Sequence, residues 1–465
     1  MSKVILGGGI SGLSAAFYLR KKFPLLSITL LEASNRNGGW IKSEKHDGYI
    51  FEQGPRTIRP HGNKAINTLD LIEDIGLTNE VEYLPKNHPA ALNRMVYVDG
   101  VLHKLPSSFS SLLTKNPPFT KPLVQYLIKE FRQTSKTVHD ESIYDFVKRR
   151  FGSEIADYAI SPLICGICAG DAKRISVKFL LENLFYDEQK YGSITKGFIK
   201  NIFKKQPQPV ILNTLARRAK SEKWNVFFFK DGLEVFPKRL EKVNKENNVD
   251  IRVNQSCTSI ELNPTKVTLH MDSNNKVETR HLIATISAKK LSELIIGHAD
   301  LTKLLSSIPF VTVCVINLHY KTELLKQEAF GFLIPPKENL PILGVIFDSC
   351  CFPCEGCTNL TVMMGGHWFK TFFGENPTDE HLLDVALKQL EDILKIKDKP
   401  NSFKINVLKN CIPQYIVGHN ETVDKIHKYV EDNKLPLNLC GTSYNGVGIN
   451  DAVYSAKTMV DKLQN

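Results

Sequence analysis

Val4-Ile5-Leu6 is a short apolar run that suits a buried strand. The chain then passes through Gly7-Gly8-Gly9-Ile10-Ser11-Gly12 into the helical pattern Leu13 to Arg20, which Pro24 stops. Gly7, Gly9 and Gly12 fit G-x-G-x-x-G. In such a turn the first glycine permits the tight bend and the second lets backbone approach a pyrophosphate. The third lets helix and strand pack closely. The helix that follows offers unpaired N–H groups and a positive dipole end. Glycines alone also fit an ordinary turn, so the context decides. A second β run, Ile28-Thr29-Leu30-Leu31, ends on Glu32, twenty residues beyond Gly12. An acid at that place accepts hydrogen bonds from an adenosine ribose. Strand, glycines, helix, strand and acid together predict a dinucleotide site built on Gly7, Gly8, Gly9, Ile10, Ser11, Gly12 and Glu32.

The totals bound what surrounds this unit. A chain of 465 residues has room for two or three domains, and 42% hydrophobic with 23% charged residues is a globular balance. No run approaches the roughly 18 apolar residues of a spanning helix, so any membrane contact is expected at the surface. The net charge of +11 favours an acidic partner: nucleic acid, an anionic membrane or a carboxylate-bearing substrate. Charge is spread without RNA-recognition or finger motifs, which disfavours nucleic acid. Met1-Ser2-Lys3 runs straight into the first strand, so no cleaved targeting peptide is expected. Ten cysteines are too sparse for a disulfide scaffold. Cys350-Cys351-Phe352-Pro353-Cys354-Glu355-Gly356-Cys357 lacks the fourth thiolate of an iron–sulfur run, so the expectation there is free thiols and no metal. The thirteen histidines form no H-E-x-x-H, and there is no G-x-S-x-G.

Arg36, Gly38 and Gly39 follow Glu32, with Trp40 and Ser43 behind them. This resembles the R-x-G-G extension of the FAD-binding amine oxidase and desaturase superfamily, and a guanidinium suits phosphate oxygens. FAD is the expected cofactor. Glu52-Gln53-Gly54-Pro55-Arg56-Thr57-Ile58-Arg59-Pro60 narrows the match, together with His88 to Arg94, Lys409 to Tyr415 and Ser443 to Asp451. In order and spacing these blocks resemble the protoporphyrinogen oxidase family nearly end to end. The resemblance implies FAD contacts at Gly7 to Gly12, Glu32, Ala33, Gly39 and Trp40, and a loop beside the flavin at Gly54, Pro55, Arg56 and Thr57. It also implies a return of the chain to the flavin ring at Val447, Gly448 and Ile449. Cys257 stands where the family usually has a valine whose backbone meets the adenine. On the substrate side it implies Arg94 for a propionate, Phe330 and Leu333 as an apolar pair around the tetrapyrrole, and Gly166 close to the ring. A planar donor fork suits a carboxylate at Arg94. By residue type alone Phe330 and Leu333 fit a core equally well. No general acid or base is assigned. Asp231-Gly232 and Ser287 depart from the family pattern without touching the expected chemistry.

The implied fold class is α/β (α+β overall), a Rossmann-like FAD domain with a mixed-sheet substrate domain and a helical membrane-docking domain. The expected boundaries are 1–86, 222–286 and 411–465 for the FAD domain, 92–210 for the helical domain and 287–410 for the substrate domain. Strand-like runs fall at Asp250 to Val253, Cys257 to Leu262, Val267 to His270, Val311 to Ile316 and Leu360 to Met364. Helical patterns run through Phe179 to Phe185 and from Ile194 to Phe203. Over Lys121 to Arg132, Leu123, Val124, Leu127, Ile128 and Phe131 share one helical face framed by basic residues. That pattern suits a core-facing helix as well as one lying on an anionic bilayer, and the resemblance implies the bilayer.

The implied activity is oxidation of protoporphyrinogen IX by O₂ with release of H₂O₂. The implied place is the mitochondrial inner membrane on its intermembrane-space side, with a ferrochelatase partner and a homodimer left open. The rival readings are an amine oxidase or carotenoid-type desaturase on the same fold, and a non-catalytic, FAD-free scaffold. Intact Gly7, Gly9, Gly12, Glu32 and Arg36 speak against the scaffold.

Overall fold

The computed structural model describes residues 2–46, 48–202, 212–352 and 355–464. Phe203 and Cys354, both part of patterns read from sequence, lie outside them. The chain divides into two compact units. One comprises 1–85, 212–309 and 420–465, the other 86–211 and 310–419.

The first unit is built on a five-stranded parallel sheet. Its strands run Leu437–Leu439, Leu282–Ala284, β1 (Ser2–Leu6), β2 (Ser27–Leu31) and Asp250–Arg252. Val4 pairs with Thr29 on one side and Leu282 on the other. The connections reverse direction at β1, and ligands of open α/β sheets sit beyond the carboxyl ends of strands at such a switch point. Ile5, Leu30 and Ile283 are completely buried, as expected of a sheet covered on both faces. Helix α1 (Ile10–Lys22) ends at Phe23, ahead of Pro24, and packs against the helices Val235–Glu246 and Ile449–Lys462. Leu13, Leu19, Phe236, Leu240 and Val453 lie in the core between them. A smaller sheet carries Cys257–Asn263, Lys266–Met271 and Lys276–Thr279 as an antiparallel meander.

The second unit carries a seven-stranded mixed sheet in the order Ser402–Pro413, Phe310–Tyr320, Thr358–Gly366, Ile342–Phe347, β4 (Gly331–Leu333), β3 (Arg94–Val98) and Val101–Lys104. The stretch read as helical from residue 92 therefore opens with a hairpin, Arg94–Lys104, that extends this sheet. Ile316, Phe332, Phe347, Leu382 and Leu390 form the core between the sheet and the helix Asp379–Leu394. Helices then follow, among them α2 (Leu123–Arg132), α3 (Ser161–Cys168) and α4 (Ile194–Ile202). The run read through Phe179 to Phe185 is two helices, Val177–Leu180 and Glu182–Tyr191, which meet at Leu181. The Cys350–Cys357 loop differs from its sequence reading in one respect. Cys350 and Cys351 are not in disulfides, but Cys357 is disulfide-bonded.

The helices of this unit are joined by a buried ionic cluster. Glu130, Arg150 and Glu188 are completely buried, and the Arg150 guanidinium donates to Glu130 and to the Gln133 and Thr134 carbonyls at the end of α2. Glu130 in turn accepts from the backbone N–H groups of Ile194 (2.8 Å) and Thr195 (3.1 Å), capping α4. Arg149 bridges Glu141 and Glu188. Burial alone would push the Glu130 carboxyl up, but the hydrogen bonds from Arg150, Thr195 and Ile194 hold it below its ordinary value. A depressed carboxyl contributes stability above its unfolded pKa, about 4.3, and loses it as pH falls through the lower folded value. Glu130→Ala removes the nearer carboxylate of the buried Arg150 guanidinium, leaves it only the more distant Glu188 (3.5 Å), and should cost about 3 kcal/mol at neutral pH. Urea denaturation checks this, and the gap from the unmodified protein should shrink in acid below about pH 4.3.

Candidate dinucleotide and substrate sites

The dinucleotide site in the first unit begins at the β1–α1 turn. Gly7 adopts a φ of +113° and its N–H donates to the Leu31 carbonyl (2.8 Å), closing the turn onto β2. A Cβ at Gly12 would collide with the Gly7 carbonyl oxygen and come within 2.9 Å of the Thr285 hydroxyl. Helix and strand approach this closely only because nothing stands between them. Gly9 caps α1 without any side-chain hydrogen bond, and the first turn carries no acidic residue. An anion therefore meets the backbone N–H groups and dipole of α1 without a competing carboxylate.

Glu32 follows β2. Its Oε2 accepts from the Gly8 N–H (2.7 Å) and its Oε1 from the N–H and hydroxyl of Ser34 (2.8 and 2.7 Å). These bonds fix the carboxylate beside the turn with a lone pair left for a ribose hydroxyl. Ala33 is exposed next to it. The Gln255 N–H donates to the Glu32 carbonyl (2.8 Å) and Asn254 to that of Ser34 (2.9 Å), which brings the approach to Cys257 alongside. Burial pushes the Cys257 thiol up to about 11, so it stays protonated, and it donates to the Ser259 carbonyl (3.4 Å).

The Arg36 guanidinium donates to the carbonyls of Asn37, Gly39 and Ile41 and to Glu234 (3.2 Å), which closes its own loop beside the turn. Gly39 and Trp40 are exposed at the end of that loop, and a Cβ at Gly54 would collide with the Trp40 carbonyl. Gly54, Pro55 and Thr57 are half-buried and Arg56 is buried. Val447, Gly448 and Ile449 form the entry to the last helix, and Asn450 ties that entry to the 54–59 segment through the Arg59 carbonyl (2.9 Å). Thr285 and Glu234 escaped sequence reasoning. Neither stands at a spacing from the glycines that would single it out.

Arg94, Gly166, Phe330 and Leu333 all fall in the second unit. β3 and β4 are parallel neighbours, Arg94 opposite Gly331 and Val96 opposite Leu333. The Phe330 N–H donates to the Asn93 carbonyl (3.1 Å), so Phe330 stands beside the start of β3. A Cβ at Gly166, on α3, would lie 3.1 Å from both Leu333 methyls. Met95 and Phe332 enter the core, so pleating turns Arg94 and Leu333 to the other face. Among the described residues no group of acidic, His or Cys side chains could hold a metal ion.

The model of flavin-containing amine oxidoreductases matches residues 10–463. Protoporphyrinogen oxidase of Homo sapiens is 36% identical, over 98% of this chain and 96% of its own. That of Schizosaccharomyces pombe is 33% identical, over 100% and 98%. The chain belongs to the protoporphyrinogen oxidase family of flavin-containing amine oxidoreductases. A solved structure described as a putative protoporphyrinogen oxidase from Exiguobacterium is 25% identical, covers 99% of this chain and 98% of its own, and has a TM-score of 0.81.

Membership makes the chain an FAD-dependent oxidoreductase with the α/β fold expected of the family. The residues fit that cofactor: a glycine cradle that any Cβ would fill, an uncapped helix N-terminus and a fixed carboxylate one strand away. Gly12→Val should therefore yield protein that lacks the flavin absorbance near 450 nm after purification and that unfolds at a lower temperature than the unmodified protein, because backbone must move to admit the side chain.

Proposed function

We propose that this protein oxidises protoporphyrinogen IX to protoporphyrin IX with O₂ as acceptor and releases H₂O₂. The observation that carries the reading is identity of 36% with the Homo sapiens protoporphyrinogen oxidase over 98% of the chain. The grouping of Arg94, Phe330, Leu333 and Gly166 in one unit supports it. Each round removes a hydride and a proton from the macrocycle. O₂ takes up both electrons and two protons and leaves as H₂O₂, and three rounds complete the six-electron change. Bound FAD would supply the hydride acceptor and the route of electrons to O₂.

The chain's own part is positioning. Gly7 to Gly12, Glu32 and the 54–57 and 447–449 segments would hold the cofactor. Arg94 would orient the substrate through a propionate, and the absence of a side chain at Gly166 lets Leu333 pack directly against α3. The net charge of +11 suits a dianionic substrate. An amine oxidase would instead call for acidic groups around a cationic substrate. Aerobic mixing with protoporphyrinogen IX should give porphyrin fluorescence with matching peroxide, well above a heat-killed control. A yellow protein no faster than autoxidation would keep the fold and discard this substrate. Arg94→Ala should raise KM for protoporphyrinogen IX about tenfold, the worth of a charge-assisted hydrogen bond, with kcat less affected.

The reading includes peripheral attachment to a membrane. No described helix is long and apolar enough to cross one. On α2 the buried positions are Tyr126 and Glu130, whereas Leu127, Ile128 and Phe131 are 45–47% exposed. Phe198 and Ile199 of the neighbouring α4 are exposed as well, and the Lys196 ammonium lies over the Phe131 ring (5.2 Å). An outward apolar face fringed by lysines suits an anionic lipid surface. Leu127→Asp with Ile128→Asp should move the protein from pelleted anionic vesicles to the supernatant; unchanged pelleting would discard the attachment. The family resemblance extends the reading to the intermembrane-space side of the mitochondrial inner membrane, a ferrochelatase partner and a homodimer.

A further inference from the structure

Short segments stand around the N-terminus of α1, each tied to the next. The Gly38 N–H donates to the Gly8 carbonyl (2.8 Å), which joins the 36–41 loop to the glycine turn. Gly54 lies against the Trp40 carbonyl and opens the 54–64 segment. On the other side, the strand Leu437–Leu439 leads to Gly441, where a Cβ would stand 3.4 Å from the Ser11 hydroxyl and 3.3 Å from the Thr285 carbonyl. The turn 445–451 follows it. These segments form a belt that closes where this turn meets residues 59–64.

Two side chains make that joint. The Asn450 amide donates to the Arg59 carbonyl (2.9 Å). The Lys64 ammonium donates to the Asn445 carbonyl (3.3 Å) and to Asp451 Oδ1 (2.6 Å). The other Asp451 oxygen accepts from the Gly448 N–H (3.0 Å). Lys64 thus grips both ends of the turn while Asp451 holds its middle. A Cβ at Gly446 would collide with the Asp451 carboxylate, so the turn is wrapped around that group. For its own helix, Lys64 is badly placed. It is the second residue of Asn63–Asp74, whose first turn carries no acidic residue, and a cation there opposes the helix dipole. That helix gains nothing from the charge; the turn across from it does.

We propose that Lys64 is a positioning residue for FAD: its pairing with Asp451 closes the belt around the dinucleotide cradle and slows loss of the bound cofactor. Lys64 acts through the 445–451 turn and not by contact with the cofactor. This rests on FAD as the cofactor and is independent of which substrate is oxidised.

The test is release of FAD from the purified holoprotein, followed by the rise in flavin fluorescence on dilution at low salt. Kd is measured by adding FAD back to the stripped apo-protein. Lys64→Met keeps the side-chain length without the charge. It should speed release and raise Kd about two- to fivefold, the range of a partly exposed ion pair. Lys64→Arg should recover most of the unmodified behaviour. Asp451→Asn should match Lys64→Met, and the double variant should be no faster than either, because each single change opens the same joint. Added NaCl should speed release from the unmodified protein more than from Lys64→Met, a response that a purely structural lysine would not give. Unchanged release from Lys64→Met would overturn the proposal. Single effects that multiply in the double variant would overturn it too, since the two residues would then act separately. An unmodified protein that takes up no FAD would instead overturn the cofactor itself.

Discussion

The close approach of α1 to β1 is the contact on which the first unit depends. Gly12 sits where any side chain would strike the Gly7 carbonyl, and Thr285 packs its hydroxyl against the same spot while donating to the Leu6 and Gly7 carbonyls (3.0 Å each). This approach aims the N-terminus of α1 over the end of the sheet instead of past it. The other parts take their places from the same turn. Gly8 holds Glu32, Gly38 bonds back to Gly8, and Arg36 closes the loop that presents Trp40 to Gly54. The cradle is therefore a network of backbone contacts in which glycines matter for what they lack. Charge enters at two points, the dipole of α1 and the carboxylate of Glu32, and their separation by one strand suits a ligand with phosphates at one end and a ribose beside them.

In the second unit the corresponding constraint is the parallel pairing of β3 with β4 in a sheet whose other pairings are antiparallel. Pairing Arg94 with Gly331 and Val96 with Leu333 puts a cation and an apolar side chain on the face opposite the core. Met95 and Phe332 fill the core from the other side. One residue of slippage would exchange the two sets and bury the guanidinium. Gly331 helps to hold the register. Its φ of +130° and the contact that a Cβ would make with the Val345 carbonyl keep other residues out.

Much of the first unit was legible in the sequence because its determinants are local. The strand at Val4 to Leu6, the glycine turn, α1 and β2 lie within about thirty residues, and each part has its own period or spacing. The partners that complete the turn were hidden because they are distant in sequence: Thr285, Glu234 and the 252–257 segment meet it only through the fold. The charge of Arg36 is visible in sequence, whereas the carbonyls of Asn37, Gly39 and Ile41 that orient its guanidinium are not. In the second unit, alternation over Phe330 to Ile334 could not tell a core face from an open one, and only the resemblance singled out Phe330 and Leu333. The hairpin at Arg94–Lys104 was absorbed into a helical reading because its sheet partner lies more than two hundred residues away.

The amphipathic pattern of α2 shows why periodicity gives a stripe without a direction. Five apolar residues on one face predict burial of that face, yet the interior side holds Tyr126 and a completely buried Glu130. Such an inversion needs a polar interior that is fully satisfied, and the Glu130–Arg150–Glu188 cluster provides it. Arg150 answers the carbonyls at the end of α2, while Glu130 answers the N–H groups at the start of α4. With helix termini and buried charges matched to one another, the helices hold their arrangement without placing that stripe inside. Leu127, Ile128 and Phe131 of that stripe, with Phe198 and Ile199 of α4, then face outward, where exposed apolar surface is unfavourable in water and favourable against lipid. A buried ion cluster contributes little net stability compared with a well-packed apolar core of the same volume. Its presence at this place makes physical sense if the apolar residues that would have formed such a core are used outside the fold.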